Sequence, residues 1–290
     1  MWSRNTLQLC RFLDARYLGI LNRIKMVIIM RRILFLSFFL FVVQGHASDS
    51  GTKGLEIAQE ADKRYSGYID SSAKMKMVLI SKAGDQNIRE LRVQMFETVA
   101  DDGAGDKSLI IFDSPRDVRG TALLTWSYKE KNDMQWLYLP ALRKVKTIAS
   151  NNKSGSFMGS EFSFEDMTPQ EVEKYSYNYL KDEPCSEFTC FVFERYPVDS
   201  NSGYTKQVVR MDNQAYRIQK IDFYDRKNSL FKTLSVSGYS LYKDRFWRAS
   251  KMEMVNHETG KRTELYWDQY EFGTGLSDSD FTNNSLMRAR

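Results

Sequence analysis

The chain is poor in the residues that catalytic and metal chemistry most often use. Its 290 residues include two histidines, three cysteines and five prolines. Cys10 and His46 lie within the first 47 residues, which leaves His257, Cys185 and Cys190 for the rest. Those three fall short of the four nitrogen or sulfur donors of a structural zinc site, so neither a metal nor a cofactor is expected. A Ser–His–Asp site would have to use His257, which sits in the turn-prone run Asn256-His257-Glu258-Thr259-Gly260, where a lone histidine is ordinarily a solvated residue. The scarcity of proline, with 13% aromatic residues and many Tyr, Phe, Val and Thr, favours strands over a helical bundle.

Positive charge is also missing where it would matter. The formal charge is +5, but Arg4, Arg11, Arg16, Arg23, Lys25, Arg31 and Arg32 face only Asp14 in residues 1–47. That segment carries +6 and residues 48–290 carry −1. A phosphate backbone needs a basic face, so nucleic acid is excluded as a partner.

Long apolar runs are absent except for 33–43, which follows Arg31 and Arg32 and ends at Gly45-His46-Ala47. A basic segment, a short apolar run and a small-x-small site are the order of a secretory signal. Residues 1–47 are read as a leader whose start is Met26 or Met30, cleaved after Ala47 on export. The alternative is an uncleaved amino-terminal anchor. Ser48 rather than Cys follows the site, so the bacterial lipoprotein modification is not expected on this chain.

Residues 48–290 read as one domain. Residues 54–65 place Leu55, Ala58, Ala61 and Tyr65 at helical spacing. Met75 and Met77 then alternate with Lys74 and Lys76, and Leu91, Val93 and Met95 with Glu90, Arg92 and Gln94, as in strands with one apolar face. Short strand patterns continue at 108–112, 121–128, 134–139, 142–148, 175–180, 191–196 and five times more to 272. Thr168-Pro169-Gln170-Glu171 has the form of a capping box and predicts a short helix through Tyr175. Cys185 and Cys190 flank the polar loop 186–189, and a disulfide there is worth about 2 kcal/mol. Roughly eleven antiparallel strands without crossover helices imply a sheet that curls into an incomplete, half-open β-barrel, with an amino-terminal helix and a short helix/loop hood. Phe281 and Leu286 are candidate anchors for the tail.

The central stretch is 112–167. Its second part is rich in glycine and serine yet carries Phe157, Met158, Phe162, Phe164 and Met167. Such side chains in a polar loop must face the core or a ligand. An acyl chain of about sixteen carbons costs on the order of 12 kcal/mol to hold in water, so a carrier needs a deep apolar concavity with a cover. Adaptable methionines suit its walls. The candidate ligand contacts are Met75, Met77, Met95, Trp126, Trp136, Leu137, Leu139, Phe157, Met158, Phe162, Phe164 and Met167. If Phe157, Met158 and Phe162 are hood, polar replacement weakens lipid uptake and leaves the melting temperature nearly unchanged. Arg143, Lys144 and Lys146 are either the solvated edge of the sheet or a docking patch. Glu161, Glu165 and Asp166 fix the loop and cap the helix after it, the alternative being acid–base chemistry. Lys153-Ser154-Gly155-Ser156 lacks the spaced glycines of a phosphate loop.

The export signal, the first amphipathic helix and the runs Phe112-Asp113-Ser114-Pro115, Arg119-Gly120-Thr121, Gln135-Trp136-Leu137-Tyr138-Leu139-Pro140, Arg143-Lys144-Val145 and Gly155-Ser156-Phe157-Met158-Gly159-Ser160 carry a resemblance. The chain resembles the bacterial outer-membrane lipoprotein-sorting proteins, of the superfamily of the LolA/LolB periplasmic carriers. The likeness covers most of 55–286 and is strongest over 112–167. It implies a half-barrel hooded by helices that binds acyl chains without catalysis, as a monomer. It also implies lipid or lipoprotein cargo, an inner-membrane RND-type exporter and an outer-membrane acceptor as partners. A non-catalytic accessory or scaffold subunit of such an exporter is the alternative, and a periplasmic hydrolase a more distant one.

Overall fold

The computed structural model describes residues 45–99 and 103–288. Cys10, Met26, Met30 and the apolar run 33–43 lie outside the described residues. Gly45, His46 and Ala47 open the first helix, α1 (Gly45–Tyr65), which extends the predicted 54–65 helix upstream.

Thirteen strands follow: β1 (Asp70–Ile80), β2 (Gln86–Phe96), β3 (Ala104–Ser114), β4 (Ala122–Tyr128), β5 (Met134–Leu139), β6 (Lys144–Ile148), β7 (Tyr175–Cys185), β8 (Phe188–Pro197), β9 (Lys206–Asp212), β10 (Ile218–Tyr224), β11 (Leu230–Tyr242), β12 (Phe246–Asn256) and β13 (Arg262–Phe272). A short helix, α2 (Asn283–Arg288), ends the described chain. The count is thirteen against the roughly eleven expected, and each strand pattern read between Lys74 and Phe272 has its strand.

All thirteen form one antiparallel sheet in the order β6-β5-β4-β3-β2-β1-β13-β12-β11-β10-β9-β8-β7. Every neighbour is a hairpin partner except β1 with β13, whose pairing of Met77 with Leu265 and Met75 with Trp267 joins the two halves of the chain. The edge strands β6 and β7 do not pair, so the sheet stays open. The alternation read in β1 is observed: Met75 and Met77 are buried and Lys74 and Lys76 exposed.

Two apolar clusters lie on opposite faces. The larger fills part of the concave face with Met75, Met77, Leu91, Phe112, Leu137, Phe157 and Phe162. The smaller joins Leu109, Ile111 and Leu124 to Phe281 and Leu286, both fully buried, so the expected tail anchors are in place. Helix α1 lies close to β7. A Cβ added at Gly54 would sit 3.0 Å from the Tyr177 side chain and 3.1 Å from the Tyr179 nitrogen, so the helix approaches that strand only because position 54 has no side chain.

The Cys185–Cys190 disulfide forms near the tip of the β7–β8 hairpin, with Cα atoms 5.8 Å apart. The predicted helix after Thr168 does not form. Thr168 and Glu171 are both extended, and only a single 3₁₀ turn, Val172–Lys174, remains. The capping-box side chains are used elsewhere. Glu171 Oε1 accepts from Ser127 Oγ at 2.6 Å and from the Asp106 backbone N–H at 3.1 Å. Thr168 Oγ1 accepts from Gln135 Nε2 at 3.2 Å. Bonds into the sheet have replaced the local bonds that would have started a helix.

Candidate functional site

Along the concave face the same set of inward positions does two jobs. At one end Met75, Met77, Leu91, Phe112 and Phe157 pack against one another as core. Towards the other end inward side chains shrink or recede, as Met75 gives way to Ala73 and Phe112 to Ile110 and Ser108, and a cavity of about 760 Å³ opens. Its apolar wall comes mainly from the carboxy-terminal half of the sheet: Phe193, Val209, Ile221, Leu234, Met252 and Trp267. Ala58 and Ala61 of α1 line it too, with Phe162, Met167 and Pro169 from the segment that joins β6 to β7.

That joining segment, residues 149–174, is held by side chains rather than by strand pairing. Gln135 Nε2 of β5 donates to the Phe164 carbonyl at 2.9 Å. Asn256 of β12 donates to Glu161 Oε2 at 2.7 Å, and the Glu161 N–H donates to Thr263 Oγ1 of β13 at 2.9 Å. Asp166 accepts from the Tyr204 hydroxyl at 2.9 Å and from the Ser163 backbone N–H at 2.7 Å. Glu165 accepts from Ser202 Oγ at 2.9 Å and from the Gly203 N–H at 3.0 Å. Burial and the neighbouring Asp166 push the Glu165 carboxyl up to about 7, against those two hydrogen bonds. Glu161 thus fixes the segment to β12 and β13, and Glu165 and Asp166 both fix it to the β8–β9 connection.

A second group of acids faces the cavity near the last turn of α1. Asp106 accepts from the Tyr68 hydroxyl at 2.8 Å and from the Thr98 N–H at 3.1 Å, and burial raises its carboxyl to about 6. Burial also raises Asp62, helped by the negative Glu171 and Glu173 nearby. Cationic side chains share the wall: Arg64, Lys129, Arg195, Arg217 and Arg248. Arg217 forms an ion pair with Asp212 at 2.8 Å, and Arg195 donates to Gln207 Oε1 at 2.7 Å.

Of the ligand contacts expected from the sequence, Met95, Phe162 and Met167 line the cavity. Met75, Met77, Leu137 and Phe157 are buried in the core beside it, with Leu139, Met158 and Phe164 packed against that core. Trp126 and Trp136 lie on the opposite face, their rings 5.2 Å apart, and Trp126 Nε1 donates to the Phe281 carbonyl at 2.7 Å. The wall residues of β8 to β13 were outside the expected set. The signal that marks them is the alternation of their strands, as in Val209 and Met211 or Leu234 and Val236.

Arg143, Lys144 and Lys146 are exposed at or beside the edge strand β6. His257 is exposed in its turn, 2.8 Å from Thr233 Oγ1. No group of three or more His, Cys, Asp or Glu side chains placed to hold a metal occurs among the described residues. No helix among them is long and apolar enough to cross a membrane.

A family model described as "Uncharacterized protein" matches residues 104–288. A crystallised outer membrane lipoprotein-sorting protein domain from Vibrio parahaemolyticus is 51% identical, with a TM-score of 0.79, over 82% of this chain and all of that one. A DUF1329 family protein from Desulfovibrio piger is 29% identical, with a TM-score of 0.77, over 82% of this chain and 99% of that one. A LolA superfamily protein from Nitrosomonas europaea shares the fold at 16% identity, with a TM-score of 0.64, over 80% of this chain and 98% of that one. No curated protein matches.

Proposed function

The chain belongs to the LolA-like family of outer-membrane lipoprotein-sorting proteins, and from that membership we propose that it is a periplasmic carrier that holds the acyl chains of a lipoprotein or lipid on their way to the outer membrane. The observation that supports this reading is the cavity of about 760 Å³ on the concave face, lined by Phe193, Val209, Ile221, Leu234, Met252 and Trp267. A space of that size with apolar walls matches a small-molecule site rather than a packing defect. Each methylene taken from water into it gains about 0.8 kcal/mol, so a long chain gains enough to stay bound between membranes.

We assign the protein no catalytic step. Glu161, Glu165 and Asp166, the residues that acid–base chemistry would use, are engaged in holding the 149–174 segment. The exposed row Arg143, Lys144 and Lys146 at the open sheet edge is where this reading would dock an exporter or an outer-membrane acceptor. Residues 1–47 serve in it as the export signal.

The test is extraction of the purified protein with lipid mass spectrometry, alongside titration with a fluorescent fatty acid. A stoichiometric acyl ligand, or saturable uptake of the fatty acid, is the expected outcome. Absence of both would overturn the carrier reading.

A further inference from the structure

Among the arginines that line the cavity, Arg248 is treated differently from the rest. Arg64 bonds Glu60, Arg195 bonds Gln207 and Arg217 bonds Asp212 through their side chains. Arg248 is 7% exposed, and among the described residues its one side-chain hydrogen bond is from Nη1 to the Trp247 carbonyl at 3.0 Å. Its Nη2 is buried with no hydrogen-bond partner, and it makes no ion pair among the described residues. A guanidinium stays charged under all working conditions, so a buried one without a counter-charge is costly unless something supplies that charge.

What surrounds it is aromatic. Tyr65 at the end of α1 has its ring centroid 3.9 Å from Cζ, with Phe272 at 5.2 Å, Tyr68 at 5.5 Å and Phe246 at 5.6 Å. These rings attract the charge but offer no oxygen to its N–H groups. Tyr65 is 45% exposed while Tyr68 and Phe246 are buried at 3% and 6%, so the guanidinium sits between the solvent edge and the packed interior. Other cavity-lining residues also carry unpartnered buried polar atoms: Thr98 Oγ1, Ser108 Oγ and Trp267 Nε1.

Resting on the carrier reading above, we infer that the cavity takes an acyl compound with a single anionic head group, a carboxylate or a phosphodiester, whose oxyanion bonds the Arg248 guanidinium edge while the chain lies along Ile221, Leu234 and Met252. The head group supplies the missing counter-charge, and the ring cover excludes water from the pair. The acids Asp62, Asp106 and Glu171 also face the cavity. With Glu97, Glu165 and Asp166 lining it too, each further negative charge on the head group is disfavoured, and Arg248 is the place where one is compensated.

The test compares three ligands on the purified protein by displacement of a bound fluorescent fatty acid: palmitate, palmitoyl-lysophosphatidylglycerol and uncharged monopalmitoylglycerol. The wild type should prefer at least one anionic ligand over the neutral one by about tenfold, the size of one charge-assisted hydrogen bond. Whichever anionic ligand binds tighter identifies the carboxylate or the phosphodiester as the natural group. Arg248→Gln should remove the preference by weakening the anionic ligand and leave monopalmitoylglycerol within about twofold of the wild type. Arg248→Lys should keep part of the preference. Equal affinities for all three ligands in the wild type would overturn the inference and spare the carrier reading, and this comparison needs no variant. A preference that survives in a folded Arg248→Gln would also overturn it. If none of the three displaces the fluorescent ligand and none binds directly, the carrier reading falls first.

Discussion

Phe157→Ala separates a cover from a core. Phe157 is fully buried, its ring 5.8 Å from Phe112 and 5.6 Å from Phe164, and it does not line the cavity. Truncating a buried phenylalanine costs about 3–5 kcal/mol, from lost transfer energy and the void left behind. For a folded unit of this size each kcal/mol moves the melting temperature by about 2–4 °C, so a fall of roughly 10 °C is expected. Thermal unfolding followed by circular dichroism measures it. Fatty-acid titration well below both transitions should then find the affinity within about twofold of the wild type, because the deleted ring does not touch the ligand space. Phe162→Ala is the control, since Phe162 is buried and also lines the cavity. It should lose stability and affinity together. A Phe157→Ala protein that melts within about 2 °C of the wild type but no longer takes up fatty acid would refute the reasoning and restore the hood expected from the sequence.

Two further outcomes follow from charge and covalent structure. Glu165 has its carboxyl raised to about 7 by burial, so the folded state holds a proton that the unfolded state releases near 4.5. Its contribution to stability is therefore present below about pH 4.5 and lost as pH rises through about 7. Glu165→Gln should stabilise the protein by on the order of 2 kcal/mol at pH 8 and change little at pH 4.5, in urea titrations at the two values; an equal effect at both would show that Glu165 is an ordinary carboxylate. Replacing Cys185 and Cys190 together with serine should cost about 2 kcal/mol, the chain-entropy value for so short a loop, in urea unfolding under non-reducing conditions. An unchanged midpoint would mean that the hairpin tip is already ordered in the unfolded chain.

The fold was legible because strands with one apolar face write their period plainly, as Met75 and Met77 do between Lys74 and Lys76. The helix expected after Thr168 failed because local capping chemistry competes with partners that are distant in sequence, here Ser127, Gln135 and Asp106. The site was less legible. Alternation says which side chains point inward, but not where along a strand the interior stops being filled. Met75 and Ala73 share a face, and only the second borders open space. In β4 the signal vanishes, since Ala122, Leu123, Leu124 and Thr125 are all buried, so nothing in its pattern places Trp126 on the outer side. The expected set was drawn from β1, β2 and residues 112–167, whereas most of the wall belongs to strands after Phe188. That wall closes on the first half through β1 and β13, a pairing that no local pattern announces.

The unpaired edges β6 and β7 give this container a seam. Backbone ladders hold every other boundary of the wall, and parting one of them would sacrifice a row of hydrogen bonds. Along the seam the 149–174 segment spans the gap, held by side-chain bonds that include those of Gln135, Glu161, Glu165, Asp166 and Glu171 and by Phe157 and Phe162 packed in the core. The seam is therefore the one boundary at which the wall can part while all thirteen strands keep their register.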